Sequence, residues 1–197
     1  MASTAAVKVG AVVLAAGGSS RFGRPKQLLT LDGESLVKHA ARAALDVGAD
    51  PVIVVLGADR ELIEPALAGL PVEIVINQEW QRGLASSLTF GIRALLQAAD
   101  CDGVVVTLAD QPLVDAPALQ RLISAFDSGH RLVAASYEGT IGVPALFGRE
   151  YLAELLHLTG DTGAGSWLRI RSSEVTPVPL ASGALDIDTP ADTESLK

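Results

Sequence analysis

Two patterns alternate along the chain. Short runs dominated by Val, Ile and Leu stand at Val9 to Leu14, Val52 to Leu56, Val72 to Ile76 and Val104 to Leu108, and they read as strands buried on both faces. Between them apolar residues recur at helical spacing. Ser35 to Val47 carries Leu36, Val37, Ala40, Ala41, Ala44, Leu45 and Val47, and it stops at Gly48, a residue suited to end a helix. Asp59 to Leu67 and Ser86 to Ala99 predict two more helices. Repeated strand and helix units with double-sided strands predict a mostly parallel, doubly wound α/β sheet with right-handed crossovers. The pattern predicts a single domain over residues 8–197 behind a loose tail at 1–7.

The break between the first strand and the first helix is chemically unusual. Leu14 to Leu29 reads LAAGGSSRFGRPKQLL. Gly17, Gly18 and Gly23 let the backbone turn sharply and approach a ligand closely. Ser19, Ser20 and the loop's own N–H groups can donate to anionic oxygens, and Arg21, Arg24 and Lys26 add positive charge. A loop of this kind at the carboxyl end of the first strand is where an α/β protein holds a phosphate. It is not a Walker A loop, because Gly23 is followed by Arg24 and Pro25 rather than by Lys and Ser or Thr, and the dinucleotide fingerprint does not fit its spacing.

Composition narrows the classes. The 197 residues suffice for one domain that buries roughly two-thirds of its unfolded surface. Hydrophobic residues at 49% and aromatics at 4% match a globular α/β protein. A net charge of -8, with cations clustered only in the first loop, excludes a general nucleic-acid binder. The single Cys101 excludes an internal disulfide, and its neighbours Asp100 and Asp102 would raise rather than lower its pKa. No apolar stretch reaches the length of a membrane span. Met1 to Ala16 has small apolar residues, as a signal peptide would. However, Lys8 is its only early cation, and cleavage near Ala16 would remove the strand that carries the loop. A cytoplasmic protein is expected.

A carboxylate stands at a second strand end. Asp110 follows Val104 to Leu108 in Ala109-Asp110-Gln111-Pro112, and a carboxylate there, facing a phosphate loop, suits Mg²⁺, which takes one or two protein oxygens and completes its shell with water and phosphates. The competing role, capping the helix near Ala116, falls better to Asp115. Near the end, Leu185-Asp186-Ile187-Asp188-Thr189-Pro190 would put Asp186 and Asp188 on one face if it forms a short strand, with Ile187 in the core. From the residues alone, Asp188 is either a metal ligand or, with Thr189, the cap of a last helix.

The loop resembles the MobA-like nucleotidyltransferases, whose signature reads L-A-A/G-G-x-S-x-R-M/F-G-x-x-K, and among them the molybdenum-cofactor cytidylyltransferases. The resemblance runs from Val9 to Leu196 and leaves no room for an appended acyltransferase domain. It implies a Rossmann-like fold of the nucleotide-diphospho-sugar transferase type, with Leu14, Ala15, Ala16, Gly17, Gly18 and Ser19 around the nucleotide. It implies Arg21 and Lys26 on the triphosphate, and A-D-x-P and D-I-D-T-P segments that make Asp110 and Asp188 the metal carboxylates. Asn77 to Leu88, otherwise a helix start, resembles the family's G-x-x-x-S-L element, so Gly83 and Ser87 would meet base and ribose. Gly142, Pro144 and Asp161 fall on the acceptor side, where the chain departs from the family: Val143 replaces a histidine in G-H-P, and Gly165 an arginine in G-D-x-G-A-R.

The expected reaction is transfer of CMP from CTP to a phosphate-bearing acceptor, with Mg²⁺, and L-A-A-G in place of L-A-G-G favours CTP. The resemblance points to the molybdenum cofactor as acceptor and to transient contact with a molybdoenzyme. Two alternatives stand beside it: a sugar- or polyol-phosphate nucleotidyltransferase, and a non-catalytic nucleotide- or cofactor-binding accessory protein. His39, His130 and His157 have no metal-ligand spacing and are expected to serve surface or packing.

Overall fold

The apolar runs become the middle of one sheet in a computed structural model of the chain, which describes residues 7–19, 22–187, 189, 191 and 192. Its strands are Val9–Ala15 (β1), Thr30–Leu31 (β2), Glu34–Ser35 (β3), Val52–Leu56 (β4), Glu73–Ile76 (β5), Gly103–Leu108 (β6), Leu132–Tyr137 (β7), Thr140–Gly148 (β8) and Thr176–Pro179 (β9). The helices are Leu36–Asp46 (α1), Arg60–Ile63 (α2), Leu84–Ala98 (α3), Ala116–Asp127 (α4), Arg149–Leu155 (α5) and Ala164–Ile170 (α6). Seven strands pair in the order β5-β4-β1-β6-β8-β7-β9, while β2 and β3 form a separate small hairpin.

β5, β4, β1 and β6 are mutually parallel, as the double-sided runs require, and β4 is buried at all five positions. Helices cover both faces. One core joins Val13 and Val54 to Val37, Ala41, Leu119, Leu122 and Phe126. The other joins Val12 and Val55 to Leu88, Ile92, Leu95, Leu155 and Trp167. α3 lies so close to the sheet that Gly91 has no room for a side chain, because a Cβ there would stand 2.5 Å from Val12 Cγ1 and 2.7 Å from Val55 Cγ2.

Two local expectations change, and a hairpin is added to the sheet. The helix expected over Asp59 to Leu67 is a four-residue α-helix followed by a 3₁₀ turn at Glu64–Leu67, because Pro65 has no N–H to extend an α-helical ladder. β7 and β8 form a hairpin whose turn residues Glu138 and Gly139 both have positive φ, and β8 enters the sheet antiparallel between β6 and β7. Residues 185–187 form no strand, although Ile187 is fully buried as expected.

Candidate active site

The loop after β1 is built around one buried amide. Gln27, 2% exposed, donates through Nε2 to Ala15 O at 3.0 Å and to Gly17 O at 2.8 Å, and its Oε1 accepts from Ser19 Oγ at 3.2 Å. Ser19 Oγ also accepts from the Lys26 backbone N–H at 3.0 Å, so this hydroxyl bonds within the loop. Trp80 lies across Gly18, with an indole carbon 2.9 Å from where a side chain would begin. The loop is therefore a frame fixed from inside and from above. Arg21 lies outside the described residues.

β1 and β6 are adjacent and parallel, so their carboxyl ends open on the same edge of the sheet. There Lys26 Nζ meets Asp110 Oδ2 at 2.6 Å, with the two side chains 13% and 22% exposed. Asp110 Oδ1 is buried without a hydrogen-bond partner. A buried carboxylate oxygen in that condition calls for a cation or a donor. Asp115, as expected, caps α4 by accepting from Ala118 N at 2.9 Å, which leaves Asp110 to the cleft.

The cleft has a volume of about 410 Å³ and is lined by Leu14, Ala15, Ala16, Gly17, Ser19, Lys26, Gln27, Leu84, Ser87, Leu108, Ala109, Asp110 and Asp186. Ser87 is aimed by Asn77, a 2% exposed residue after β5 that donates to Ser87 Oγ at 3.0 Å and accepts from Glu79 N at 2.9 Å. The Ser87 proton is thereby left for the cleft. Gly83 serves chain packing, because the Gly160 carbonyl and the Asp161 carboxylate occupy the space a Cβ would need.

The C-terminal segment is tied to the same edge. The Ile187 N–H donates to Asp110 O at 2.9 Å, and Gln111 Nε2 donates to Val143 O at 3.2 Å and to Gly183 O at 3.1 Å. Asp188 lies outside the described residues. Thr189 donates through its N–H and its hydroxyl to Asp192 Oδ2, at 2.7 and 3.0 Å. Among the described residues no three His, Cys, Asp or Glu side chains converge as a metal cluster. Asp110 with its orphaned oxygen, and Asp186 in the same cleft, offer hard oxygen donors few in number, the kind of site that suits Mg²⁺ or Mn²⁺.

A second pocket of about 190 Å³ adjoins the first and shares Leu14, Leu84 and Leu108 with it. Gly142 lines it. Pro144 is buried in β8, and the exposed Asp161 lines neither cavity. Tyr137, also in this pocket, has its phenol pushed up by burial and by the charge of Asp186, with Arg169 opposing. Sequence reasoning missed Gln27, Asn77, Trp80, Gln111 and Arg169. For Gln27 a signal existed, a polar residue set directly before Leu28 and Leu29.

The fold is of the doubly wound α/β class, with its cleft at the carboxyl ends of the central strands. Within that class the chain belongs to the MobA-like NTP transferase domain family, whose pattern matches residues 11–176. It is 32% identical to nicotine blue oxidoreductase of Paenarthrobacter nicotinovorans, over 90% of this chain and 91% of that protein. It is 39% identical to the bifunctional protein GlmU of Mycolicibacterium vanbaalenii over 70% of this chain, but spans only 29% of GlmU's length. Rv0371c of Mycobacterium tuberculosis H37Rv superposes with a TM-score of 0.81 at 31% identity over 98% of both chains. A structure of Rv0371c in complex with manganese superposes at 0.75, with 27% identity and 98% coverage of each chain. Among the described residues no helix is long and apolar enough to cross a membrane.

Proposed function

We propose that this protein transfers CMP from CTP to a phosphate-bearing acceptor, the molybdenum cofactor, and releases pyrophosphate. The observation that carries the reading is the meeting of Lys26 and the half-satisfied Asp110 carboxylate beneath the glycine loop. An acceptor phosphate oxygen attacks the α-phosphorus of the triphosphate, a new P–O bond forms, and the bond to pyrophosphate breaks. Both reactants are anions, so the protein's task is to position them and to offset charge. The loop backbone and Lys26 receive the triphosphate, with Arg21 added by the family resemblance. Ser87 offers its hydroxyl proton to the sugar or base. The acceptor oxygen is already ionised, so no general base is required, and none of the three histidines lines the described cleft. Asp110 and Asp188 would hold a divalent cation, which when bound offsets negative charge on the phosphates. Mg²⁺ is the ion proposed, and the manganese complex of Rv0371c supports a divalent ion in this family.

Pyrophosphate release measured across the four nucleoside triphosphates, with and without molybdenum cofactor, tests the reading. Release with CTP only when the cofactor is present supports it. Release with a sugar or polyol phosphate moves the acceptor to that class, and tight nucleotide binding without release makes the protein an accessory factor. The relative named nicotine blue oxidoreductase sets one control: two-electron reduction of nicotine blue, matched by oxidation of an added hydride donor and without pyrophosphate release, would replace group transfer with redox chemistry. The proposed setting is the cytoplasm, where the product passes to a molybdoenzyme.

A further inference from the structure

Ser86, Thr89, Phe90 and Arg93 recur at helical spacing along the outward side of α3, opposite Leu88, Ile92 and Leu95, which are buried on the sheet. Phe90 is 41% exposed there. A single exposed apolar side chain needs no explanation, but this one borders a cavity of about 370 Å³ that Leu156 and Leu158 also line. The cavity lies between α3, the turn at Trp80–Arg82 and the segment 156–160 after α5. It shares no lining residue with the nucleotide cleft or with the pocket beside that cleft. Ser86 lines this cavity and Ser87 the cleft, and the Asn77 amide donates to both hydroxyls.

Four titratable residues line the cavity: Glu79, Arg82, Arg93 and His157. Arg82 Nη1 pairs with Glu79 Oε2 at 2.6 Å, and His157 Nδ1 donates to Ala153 O at 2.6 Å. Arg93 has no carboxylate partner among the described residues. In a chain with 23 acidic against 15 basic side chains carboxylates are in surplus, yet none of those described is set against this guanidinium. Its planar fork matches a carboxylate in two hydrogen bonds at once, in a cavity that also offers a phenyl ring and two leucines.

We infer that this cavity is a second ligand site, taking a small aromatic carboxylate whose charge meets Arg93 and whose ring lies against Phe90, Leu156 and Leu158. The Glu79 carboxylate lines the same cavity and opposes a doubly charged group, so a carboxylate fits better than a phosphate monoester. A site here stands whether or not the protein transfers nucleotides.

Suitable probes are 2-naphthoate and the neutral 2-naphthalenemethanol, because both are flat and fluorescent and only the first carries the anion. Fluorescence titration of the full chain is expected to show the carboxylate bound at least about tenfold more tightly, and more tightly than 2-naphthyl phosphate. Arg93→Gln removes the preference over the alcohol, and Phe90→Ala weakens both probes about fivefold. Lys26→Gln, in the nucleotide cleft, leaves both affinities unchanged. Phe90 and Arg93 are exposed, and unchanged thermal melting confirms that the variants fold. Equal affinities in the wild type, no binding of either probe, or a preference that survives Arg93→Gln overturns the inference. Binding that Lys26→Gln abolishes overturns it too, because the probe would then sit in the nucleotide cleft. Tighter binding of the phosphate than of the carboxylate overturns the assignment of a single charge. None of these outcomes bears on pyrophosphate release, so failure here leaves the transferase reading standing.

Discussion

Replacing Gln27 by Met isolates what the buried amide does. The two side chains are close in volume and Met adapts to irregular space, so packing is kept while the hydrogen bonds go. The Ala15 carbonyl is buried, and leaving it without this donor costs about 1–3 kcal/mol. The Gly17 carbonyl is only part-buried, and water recovers some of its loss, so about 0.5–1.5 kcal/mol is expected there. The combined effect, roughly 1.5–4.5 kcal/mol, corresponds to a fall in Tm of roughly 3–18 °C for a domain of this size. If the loop frays before the sheet melts, the loss appears instead as weaker nucleotide binding, because Ser19 and the Lys26 backbone lean on the same amide. Differential scanning fluorimetry and calorimetric titration with CTP read the two outcomes. A Gln27→Met protein with both Tm and nucleotide affinity at wild-type values would refute the claim that this amide frames the loop.

Three other perturbations follow from the geometry. Asp110→Asn removes the charge facing Lys26 and is expected to lower pyrophosphate release at least about 100-fold with Tm nearly unchanged; retained activity would remove Asp110 from the site. Gly91→Ala gains about 1 kcal/mol of helix propensity but drives a Cβ into Val12 and Val55, so a net loss of stability by urea unfolding is expected, opposite to the usual sign for this change in a helix. The buried Cys101 thiol is pushed up from its ordinary value of 9.0, first by burial and then by Asp102. It should react with a disulfide reagent only after denaturation. Because the native thiol stays protonated where the unfolded one ionises, its contribution to stability is intact below pH 9.0 and declines as pH rises past that value.

The sheet's centre was legible because β1, β4 and β6 are buried on both faces and their sequences carry almost no polar interruption. The β7 and β8 hairpin was not. Its turn uses Glu138-Gly139 rather than the Asn-Gly or Asp-Gly pair that announces such turns, and β8 carries Gly142 and Pro144 inside the strand. At the site, the residues that face the cleft directly from strand ends and loops, such as Gly17, Lys26 and Asp110, could be read from local chemistry. Gln27, Asn77 and Gln111 could not be assigned their work in advance, since each acts through carbonyls or hydroxyls that only the fold brings near. Gly83 shows the same limit from the other side: its lack of a side chain serves the neighbouring Gly160 and Asp161 turn.

The hydrogen bond from Ile187 to Asp110 makes the site the last thing the chain builds. During translation the glycine loop, Lys26 and Asp110 can come together as soon as β6 joins β1, while Asp186 and Ile187 are still to be made. A protein clipped before Ile187 would keep all seven strands of its sheet, yet lose the buried side chain that packs against Phe22, Leu29 and Leu36 behind the glycine loop.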